Sequence, residues 1–410
     1  MNAERVRSEL RAAREAGQTL RTRPLRDVHA ELACVFDHWS DPASEGRRDL
    51  AARLPEATGL HPATIDEGLA RGFASWTGDA FLALAEEELA ATPDAAGFPA
   101  TAVLLAGEIP MPSLLSLLVP LAVRSPVLAK MGSRDLVTAP CLARSLETVA
   151  PSLAPALRVL PPLADDGALA ALLQADCVMA TGADATIASV AARLRPTQHF
   201  VPAGHRFSIA TLGDEALGED RIADTADAIA LDTALWDQQG CLSPVACYVV
   251  SPDDRAADRV AEALAEALAG AEARWPQGRV EPAAAARIHH ERAEAEMRGA
   301  THPRVALIDA DAWTVVREAD ATPRPAPLHR FVRVHPVAHA EALLAALRPT
   351  ARHLAGVALA GFGPHEADLA RALTALGATR ICAPGQLQAP PLDWRREGCD
   401  ILTPLLQTTQ

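Results

Sequence analysis

The sequence predicts an α/β protein with a layer of helices at its N-terminus, and three observations lead to this fold class. Residues 1–98 place apolar side chains among charged ones at helical spacing. From residue 102 the pattern changes to short apolar runs separated by segments of helical length, which is typical of a parallel sheet with crossover helices. A second series of the same kind begins at residue 221.

Composition sets the size of the protein and excludes one class of partner. With 410 residues, of which 49% are hydrophobic, the chain exceeds the usual size of one domain, so two or more are expected. The formal net charge of −14 argues against binding to nucleic acid, because nucleic-acid-binding proteins neutralise phosphates with Lys and Arg. We therefore expect no nucleic-acid partner.

The cysteines and the apolar runs predict where the protein is found. Seven cysteines are scattered along the chain without a Cys-x-x-Cys pair, a pattern of reduced thiols that favours the cytoplasm over a disulfide framework or a zinc site. We expect no metal. The N-terminal residues lack the apolar core of a signal peptide. The most apolar region, 101–130, is interrupted by Glu108, Arg124 and several prolines, whereas a membrane span needs about 20 apolar residues.

The first α/β series gives a candidate nucleotide-binding domain. The N-terminal helical layer is expected to end near Thr92. Strands are then predicted at 102–105, 127–129, 156–160, 177–180 and 199–202. Helices are predicted between them at 114–122, 139–149, 167–174 and 185–193. Ligands of such sheets bind at the carboxyl ends of the strands, where backbone amides and helix N-termini point outward.

Polar residues follow the second predicted strand of this domain. Lys130 ends the strand, where it could contact the ribose or phosphate of a nucleotide, and Ser133 and Arg134 in the next turn could accommodate a 2′-phosphate. A solvated lysine that closes a buried strand explains the local sequence equally well.

Two further turns are candidates for ligand contacts. Thr181, Gly182 and Ala183 join an apolar strand to a helix and could line a pyrophosphate site with amides. The segment lacks Gly-x-Gly-x-x-Gly, so an ordinary turn between strand and helix remains the alternative. Glu108 follows the first strand and is interpreted either as a site residue or as a charged loop residue.

The second α/β series carries the main candidate for chemistry, Cys241. This series predicts a helix at 221–236, a strand at 246–250, a helix at 256–273 and strands at 305–308, 313–316 and 331–334. Cys241 follows a Gln-Gly turn at the polar end of the first of these strands, whereas Cys247 within the strand fits inert packing. Sulfur is nucleophilic even when only partly ionised, so Cys241 could form a thioester.

In this order and spacing, these segments resemble the aldehyde dehydrogenase superfamily and, within it, the bacterial fatty-acyl-CoA reductases of the kind that supplies aldehyde for bioluminescence. The resemblance runs over nearly the whole chain and is carried by LRTRPL at 20–25, GSRD at 132–135, DQQGCLSP at 237–244 and GQLQAPPLDW at 385–394. It implies a helical N-terminal region at 1–98, a Rossmann-type NAD(P)-binding domain at 99–205, an α/β catalytic domain at 206–385 and a tail at 386–410.

The resemblance also implies a reaction. Cys241 would attack the thioester of an acyl-CoA or an acyl carrier protein, and a reduced nicotinamide would convert the bound acyl group to an aldehyde. Lys130 and Ser133 would lie at the adenosine ribose, and Thr181, Gly182 and Ala183 beside the pyrophosphate. Aldehyde dehydrogenases often have an acid near the position of Ser133, and its absence favours NADPH over NADH. The superfamily usually pairs subunits, which makes a homo-oligomer compatible with this interpretation.

Two departures from the superfamily pattern affect the expected reaction. Hydrolytic members use a Glu in Glu-Leu-Gly-Gly as base, and the matching stretch 201–206 has none, which suits reduction and disfavours hydrolytic aldehyde oxidation. Glu108 aligns with an Asn whose amide usually helps to hold the oxyanion, and losing one such donor typically costs about a hundred- to a thousandfold in rate. A catalytically degenerate protein that binds an acyl thioester or a partner is therefore the alternative.

Overall fold

The protein, in a computed structural model that describes residues 1–92, 96–107 and 109–407, forms two compact units. Unit 1 consists of Met1–Thr58, Gly72–His205 and Pro391–Gln410, and unit 2 of Gly59–Arg71 and Arg206–Pro390. These units are groups of residues that pack mainly against one another. The division into four functional regions at residues 98, 205 and 385 stays a prediction.

The described residues contain α-helices and β-strands in alternation after an all-helical start. The α-helices are α1 (Ala3–Arg21), α2 (Leu25–Ser40), α3 (Glu45–Thr58), α4 (Pro62–Gly72), α5 (Gly78–Leu89), α6 (Pro110–Ala122), α7 (Thr138–Val149), α8 (Asp166–Leu172), α9 (Asp184–Ala191), α10 (Ile222–Ala234), α11 (Ala256–Arg274), α12 (Pro282–Thr301), α13 (Ala340–Leu347) and α14 (Glu366–Leu376). The strands are β1 (Thr101–Leu104), β2 (Val127–Lys130), β3 (Leu157–Leu160), β4 (Cys177–Thr181), β5 (His199–Ala203), β6 (Phe207–Gly213), β7 (Pro244–Val250), β8 (Ala306–Ala310), β9 (Trp313–Arg317), β10 (Phe331–Val337), β11 (Leu354–Ala360) and β12 (Arg380–Cys382). None of these helices is long and apolar enough to cross a membrane.

The N-terminal helices form for local reasons that the sequence shows. The side chain of Asn2 accepts a hydrogen bond from the backbone N–H of Arg5 at 3.0 Å and so caps α1. Apolar residues then recur every three or four positions, and Val6 and Leu10 are buried in one core with Val178 of β4. The predicted helical N-terminal layer is confirmed.

Unit 1 contains a five-stranded parallel sheet in the order β3-β2-β1-β4-β5. All five strands predicted between residues 102 and 202 are confirmed. Lys130 at the end of β2 and Ala180 near the end of β4 are both in register with Leu104 of β1. The carboxyl ends of β2 and β4 therefore lie at the same edge of the sheet, on either side of β1.

Unit 2 contains a seven-stranded sheet in the order β12-β11-β6-β7-β10-β9-β8, in which only β8 pairs antiparallel. The predicted strands at 246–250, 305–308, 313–316 and 331–334 correspond to β7, β8, β9 and β10. The sequence interpretation missed β6, β11 and β12, although β11 is an unbroken run of small and apolar residues, as buried parallel strands often are. The strand that follows the Cys241 loop, β7, lies at the centre of this sheet.

The C-terminal segment Pro391–Gln410 belongs to unit 1, and a buried carboxylate anchors it there. Glu88 of α5 accepts hydrogen bonds from three consecutive backbone N–H groups, those of Ile401, Leu402 and Thr403, at 2.6–3.3 Å. Its neighbour Glu87 is exposed and pairs with Arg395 at 3.2 Å.

Replacing Glu88 should release this segment. Hydrogen bonds to a charged group contribute about 1.5–3 kcal/mol each, so Glu88→Ala should lower the stability of the 401–403 turn by several kcal/mol and speed amide hydrogen exchange there. Glu87→Ala is the matched control and should leave exchange unchanged, because exposed ion pairs contribute little. Equal exchange rates in the two variants would show that Glu88 does not anchor the segment.

Candidate active site

Cys241 lies in the loop between α10 and β7, and its side chain is half-buried. The hydroxyl of Ser208 in β6 donates to the carbonyl oxygen of Cys241 at 2.7 Å and accepts from the N–H of Gly356 in β11 at 2.9 Å. The N–H of Ser243 donates to the carbonyl of Gly240 at 3.0 Å, which closes a turn around the cysteine. Hydrogen bonds thus fix the backbone of the loop on both sides of Cys241.

The segment before this loop has an unusual backbone. The predicted helix at 221–236 is wrong at its end, because α10 stops at Ala234 and the next residues do not continue the helix. Trp236, Asp237 and Gln238 have φ values of 57°, 48° and 62°, which place three non-glycine residues in the left-handed region. Such a run is costly and persists only where surrounding contacts hold it.

A second run of residues with positive φ supplies the main contact to this segment. Leu328, His329 and Arg330 have φ values of 68°, 57° and 64°. Arg330 donates to Oδ1 of Asp237 from Nη2 at 2.7 Å and from Nε at 3.1 Å, and the two side chains are only 0% and 2% exposed. The other carboxylate oxygen of Asp237 accepts from the N–H of Gly278 at 2.8 Å. A buried ion pair therefore joins the two left-handed runs.

Hydrogen bonds of Trp236 and Gln238 also attach this segment to the rest of unit 2. Gln238 donates from Nε2 to the carbonyls of Pro244 at 2.8 Å and Phe331 at 2.9 Å, and its Oε1 accepts from the N–H of Phe331 at 2.8 Å. The N–H of Trp236 donates to the hydroxyl of Thr64 at 3.0 Å. The residues that lead to Cys241 are thus bonded to the starts of β7 and β10.

Burial shifts the acidity of four other cysteine thiols. Burial raises the pKa of Cys141, Cys177 and Cys247 to about 12 and that of Cys382 to about 11. Thiols with such pKa values stay protonated near neutral pH and are poor nucleophiles. Cys247 belongs to the core of β7, as its position in the apolar run predicts.

The C-terminal motif at 385–394 begins against the Cys241 loop. The buried carboxylate of Asp232 accepts from the N–H groups of Gly385 at 2.7 Å and Gln388 at 3.3 Å. Gln388 in turn donates from Nε2 to the carbonyl of Asp232 at 2.9 Å and to the hydroxyl of Ser243 at 3.1 Å. Burial raises the pKa of Asp232 to about 7, although its hydrogen bonds from backbone N–H groups favour the charged form.

The residues predicted to hold the adenosine ribose follow β2 in unit 1. Lys130 is half-buried and donates to the carbonyl of Met131 at 3.3 Å, while Ser133 and Arg134 are exposed. Asp135, the last residue of the GSRD motif, is buried and accepts from the N–H groups of Val137 and Thr138 at the start of α7. Asp135 thus orders the turn that presents Ser133 and Arg134.

The residues predicted to lie beside the pyrophosphate follow β4. Thr181 and Gly182 are half-buried and Ala183 is exposed. The N–H of Gly182 donates to the carbonyl of Ala203 at 3.1 Å, so this amide is used by the fold. In the next turn, the carboxylate of Asp184 accepts from the N–H of His205 at 2.9 Å. Lys130 and Thr181 end strands on either side of β1, at one edge of the sheet.

A pocket in unit 1 opens at this edge. Its walls come from one face of α6, the ends of β4 and β5, and the C-terminal segment that Glu88 anchors. The lining is largely apolar, with Leu115, Val119, Met179, Val201, Trp394 and Ile401, and it also includes Thr181, Arg396, Glu397 and Asp400. Part of the stretch 201–206, which contains no carboxylate, thus forms a wall of this pocket.

Several residues of the site gave no signal in the sequence. Ser208 and Arg330 are distant in sequence from Cys241 and lie outside any motif. Asp232 resembles any acidic residue on a helix. Gln388 belongs to the GQLQAPPLDW stretch, so that motif pointed to the segment but not to its contact. Glu108, the proposed counterpart of the oxyanion-holding Asn, lies outside the described residues.

Solved structures similar to this chain are aldehyde dehydrogenases and related oxidoreductases. An indole-3-acetaldehyde dehydrogenase of P. syringae, in complex with NAD+ and IAA, is 15% identical with a TM-score of 0.76, over 99% of this chain and 88% of that one. An oxidoreductase from Marinobacter aquaeolei is 13% identical with a TM-score of 0.75, over 98% and 89%. An NADP-dependent glyceraldehyde-3-phosphate dehydrogenase from Bacillus halodurans, complexed with NADP, is 13% identical with a TM-score of 0.73, over 99% and 90%. The protein therefore has the aldehyde dehydrogenase fold.

The family is narrower than the fold. The family model for acyl-CoA reductase (LuxC) matches residues 94–407, which is most of the chain. The protein belongs to this acyl-CoA reductase family and is an oxidoreductase, as the resemblance implied. No curated protein sequence matches it significantly.

Breaking the buried ion pair should destabilise unit 2. Asp237→Ala removes the partner that accepts two hydrogen bonds from the buried guanidinium of Arg330, which keeps Glu272 at 2.5 Å, so the loss should approach the lower end of the about 3–5 kcal/mol that breaking a buried ion pair typically costs. We expect a loss of this size in the free energy of unfolding, measured by chemical denaturation. The double variant Asp237→Ala with Arg330→Met should lose less than the two single variants together.

The exposed pair of Asp253 and Arg259, at 2.8 Å, provides the matched control. Arg259→Ala should change the free energy of unfolding by less than about 1 kcal/mol, because it removes only the exposed ion pair. Strictly additive losses at Asp237 and Arg330 would contradict the interpretation that their ion pair holds the two left-handed runs together.

Proposed function

We propose that this protein reduces an acyl thioester, carried by CoA or an acyl carrier protein, to an aldehyde through a thioester on Cys241, with NADPH as the favoured reductant. The observation that carries the proposal is the setting of Cys241. Its thiol is half-buried on a loop that hydrogen bonds fix at both ends, within a chain that belongs to the acyl-CoA reductase family.

The chemistry at Cys241 follows from its sulfur. The thiolate attacks the thioester carbonyl, a new C–S bond forms, and the bond to the carrier sulfur breaks, so the carrier leaves as a thiol after taking up a proton. When bound, the reduced nicotinamide supplies a hydride to the acyl carbon. The Cys241 sulfur then leaves as a thiolate and the carbonyl of the product aldehyde re-forms. The balance is one thioester, one reduced nicotinamide and one proton, giving aldehyde, carrier thiol and oxidised nicotinamide.

The carboxyl edge of the unit 1 sheet fits a nicotinamide dinucleotide. Parallel sheets of this order bind dinucleotides at the carboxyl ends of their strands. Ser133 and Arg134 are exposed in a turn ordered by Asp135, where Arg134 could pair with a 2′-phosphate. Lys130 would contact the ribose, and Thr181, Gly182 and Ala183 the pyrophosphate. The similar structures that carry NAD+ or NADP support this assignment at the level of the fold.

Unit 1 has a pocket whose mostly apolar lining suits a ligand with a hydrocarbon part, since Leu115, Val119 and Met179 are joined there by Trp394 and Ile401 of the C-terminal segment. Arg396, Glu397 and Asp400 also line it. The stretch 201–206, which matches the Glu-Leu-Gly-Gly motif of hydrolytic members, has no carboxylate to activate water, which favours reduction of the acyl group over its hydrolysis.

The proposal is tested by intact-mass analysis after incubation with acyl-CoAs of increasing chain length and with acyl carrier proteins. We expect an acyl adduct on Cys241 that disappears when NADPH is added, more slowly with NADH, as aldehyde is produced. Cys241→Ala should form no adduct and no aldehyde, and Cys34→Ala, which removes an exposed thiol, should behave as wild type. Aldehyde production by Cys241→Ala would overturn the proposal.

Glu108 favours a second candidate function, a degenerate protein that binds an acyl thioester or a partner without turnover. A carboxylate where the family usually has an amide donor would oppose a developing oxyanion. If the protein is degenerate, Glu108→Asn should raise aldehyde production by about a hundredfold or more, measured with the acyl-CoA that gives the fastest adduct. If the site works with Glu108, the same variant should show no gain, and Glu108→Gln serves as the neutral control.

A further inference from the structure

The C-terminal motif at 385–394 has no role in the reaction described so far. It is nevertheless one of the stretches that carry the resemblance to the acyl-CoA reductases. Its first four residues form a turn that is closely packed. Gly385 has a φ of 80°, which favours glycine, and Leu387 and Gln388 are buried. The turn is therefore a fixed part of unit 2, adjacent in space to the loop that carries Cys241.

Asp232 of α10 holds this turn. The residue is buried, and backbone N–H groups of Gly385, Leu387 and Gln388 donate hydrogen bonds to its carboxylate. One side chain thus satisfies several amides of a turn that lies more than 150 residues away in sequence. Because one buried carboxylate accepts several hydrogen bonds from the turn, the turn has little freedom to move.

Gln388 connects the turn to the nucleophile. Its Nε2 donates two hydrogen bonds, one to the carbonyl of Asp232 at 2.9 Å and one to the hydroxyl of Ser243 at 3.1 Å. Ser243 is only 1% exposed, and its N–H donates to the carbonyl of Gly240. The contact therefore reaches the turn that contains Cys241.

We propose that Gln388, held by Asp232, is a positioning residue that fixes the Cys241 loop through its hydrogen bond to Ser243. The inference rests on the proposed function of Cys241 as acyl acceptor. Neither Gln388 nor Asp232 takes part in bond making. They set the distance and angle at which the sulfur meets the thioester carbonyl, and a displacement of about 1 Å can cost about a hundredfold in rate.

The test uses the full-length protein and single-turnover acylation of Cys241 by decanoyl-CoA, followed by intact mass. Gln388→Ala and Ser243→Ala should each slow acylation about ten- to a hundredfold without changing the half-saturating concentration of decanoyl-CoA. The double variant should be no slower than the slower single variant, because both changes remove the same hydrogen bond. Ser243→Thr keeps the hydroxyl and should restore most of the rate.

Gln386→Ala is the matched control, since Gln386 is exposed in the same turn, and it should acylate at the wild-type rate. Wild-type rates in Gln388→Ala, or additive losses in the double variant, would overturn the inference. Should Gln388→Ala fail to fold, the comparison of Ser243→Ala with Ser243→Thr decides, because these variants differ in the hydroxyl, and equally slow acylation in both would overturn it.

Alkylation of Cys241 by iodoacetamide, followed by peptide mapping across a range of pH, separates this inference from the proposed function. If wild-type protein forms no adduct with any thioester, the proposed function is wrong. In that case the positioning inference holds only if the pH profile of Cys241 alkylation shifts in Gln388→Ala and in Ser243→Ala. The double variant should show a shift of the same size, and Gln386→Ala should show none.

Discussion

The buried ion pair between Asp237 and Arg330 is the interaction on which the geometry around Cys241 depends. Each partner lies in a run of three residues with positive φ, which side chains other than glycine adopt at a cost. Burying both charges costs several kcal/mol per ion unless further hydrogen bonds use their remaining donors and acceptors. Here Glu272 at 2.5 Å and the carbonyl of Trp275 at 2.7 Å complete the contacts of Arg330, and Gly278 completes those of Asp237.

The ion pair matters for chemistry because of where the chain goes next. Gln238 attaches the end of the left-handed run to the start of β7 and to β10, which are neighbours at the centre of the unit 2 sheet. A side chain held between such rigid elements keeps its geometry better than one on an unsupported loop. Ser208 and Gln388 then hold the loop through the carbonyl of Cys241 and the hydroxyl of Ser243.

The sequence predicted much of this fold because parallel strands and amphipathic helices depend on local patterns. All five strands of unit 1 and four of unit 2 were readable as apolar runs between helices. The end of α10 was not, because Trp236 continues the helical pattern and only contacts with distant residues force it out of the helix. For the same reason the motifs pointed to the stretch around Cys241 and to the segment with Gln388, but the contact of Gln388 with Ser243 and that of Arg330 with Asp237 could not be predicted, because the partners lie far apart in sequence.

These constraints affect whether a thioester on Cys241 would be reduced or hydrolysed. Cysteine forms an acyl-enzyme readily, but its fate depends on which partner reaches the acyl carbon first. The stretch 201–206 offers no carboxylate to activate water, which under the proposed function leaves more time for hydride transfer. Under the same proposal, with Glu108 where the family usually has an amide donor, less of the rate would come from holding the oxyanion, and more from placing the Cys241 sulfur. A loop held by the ion pair, Ser208 and Gln388 would meet that demand.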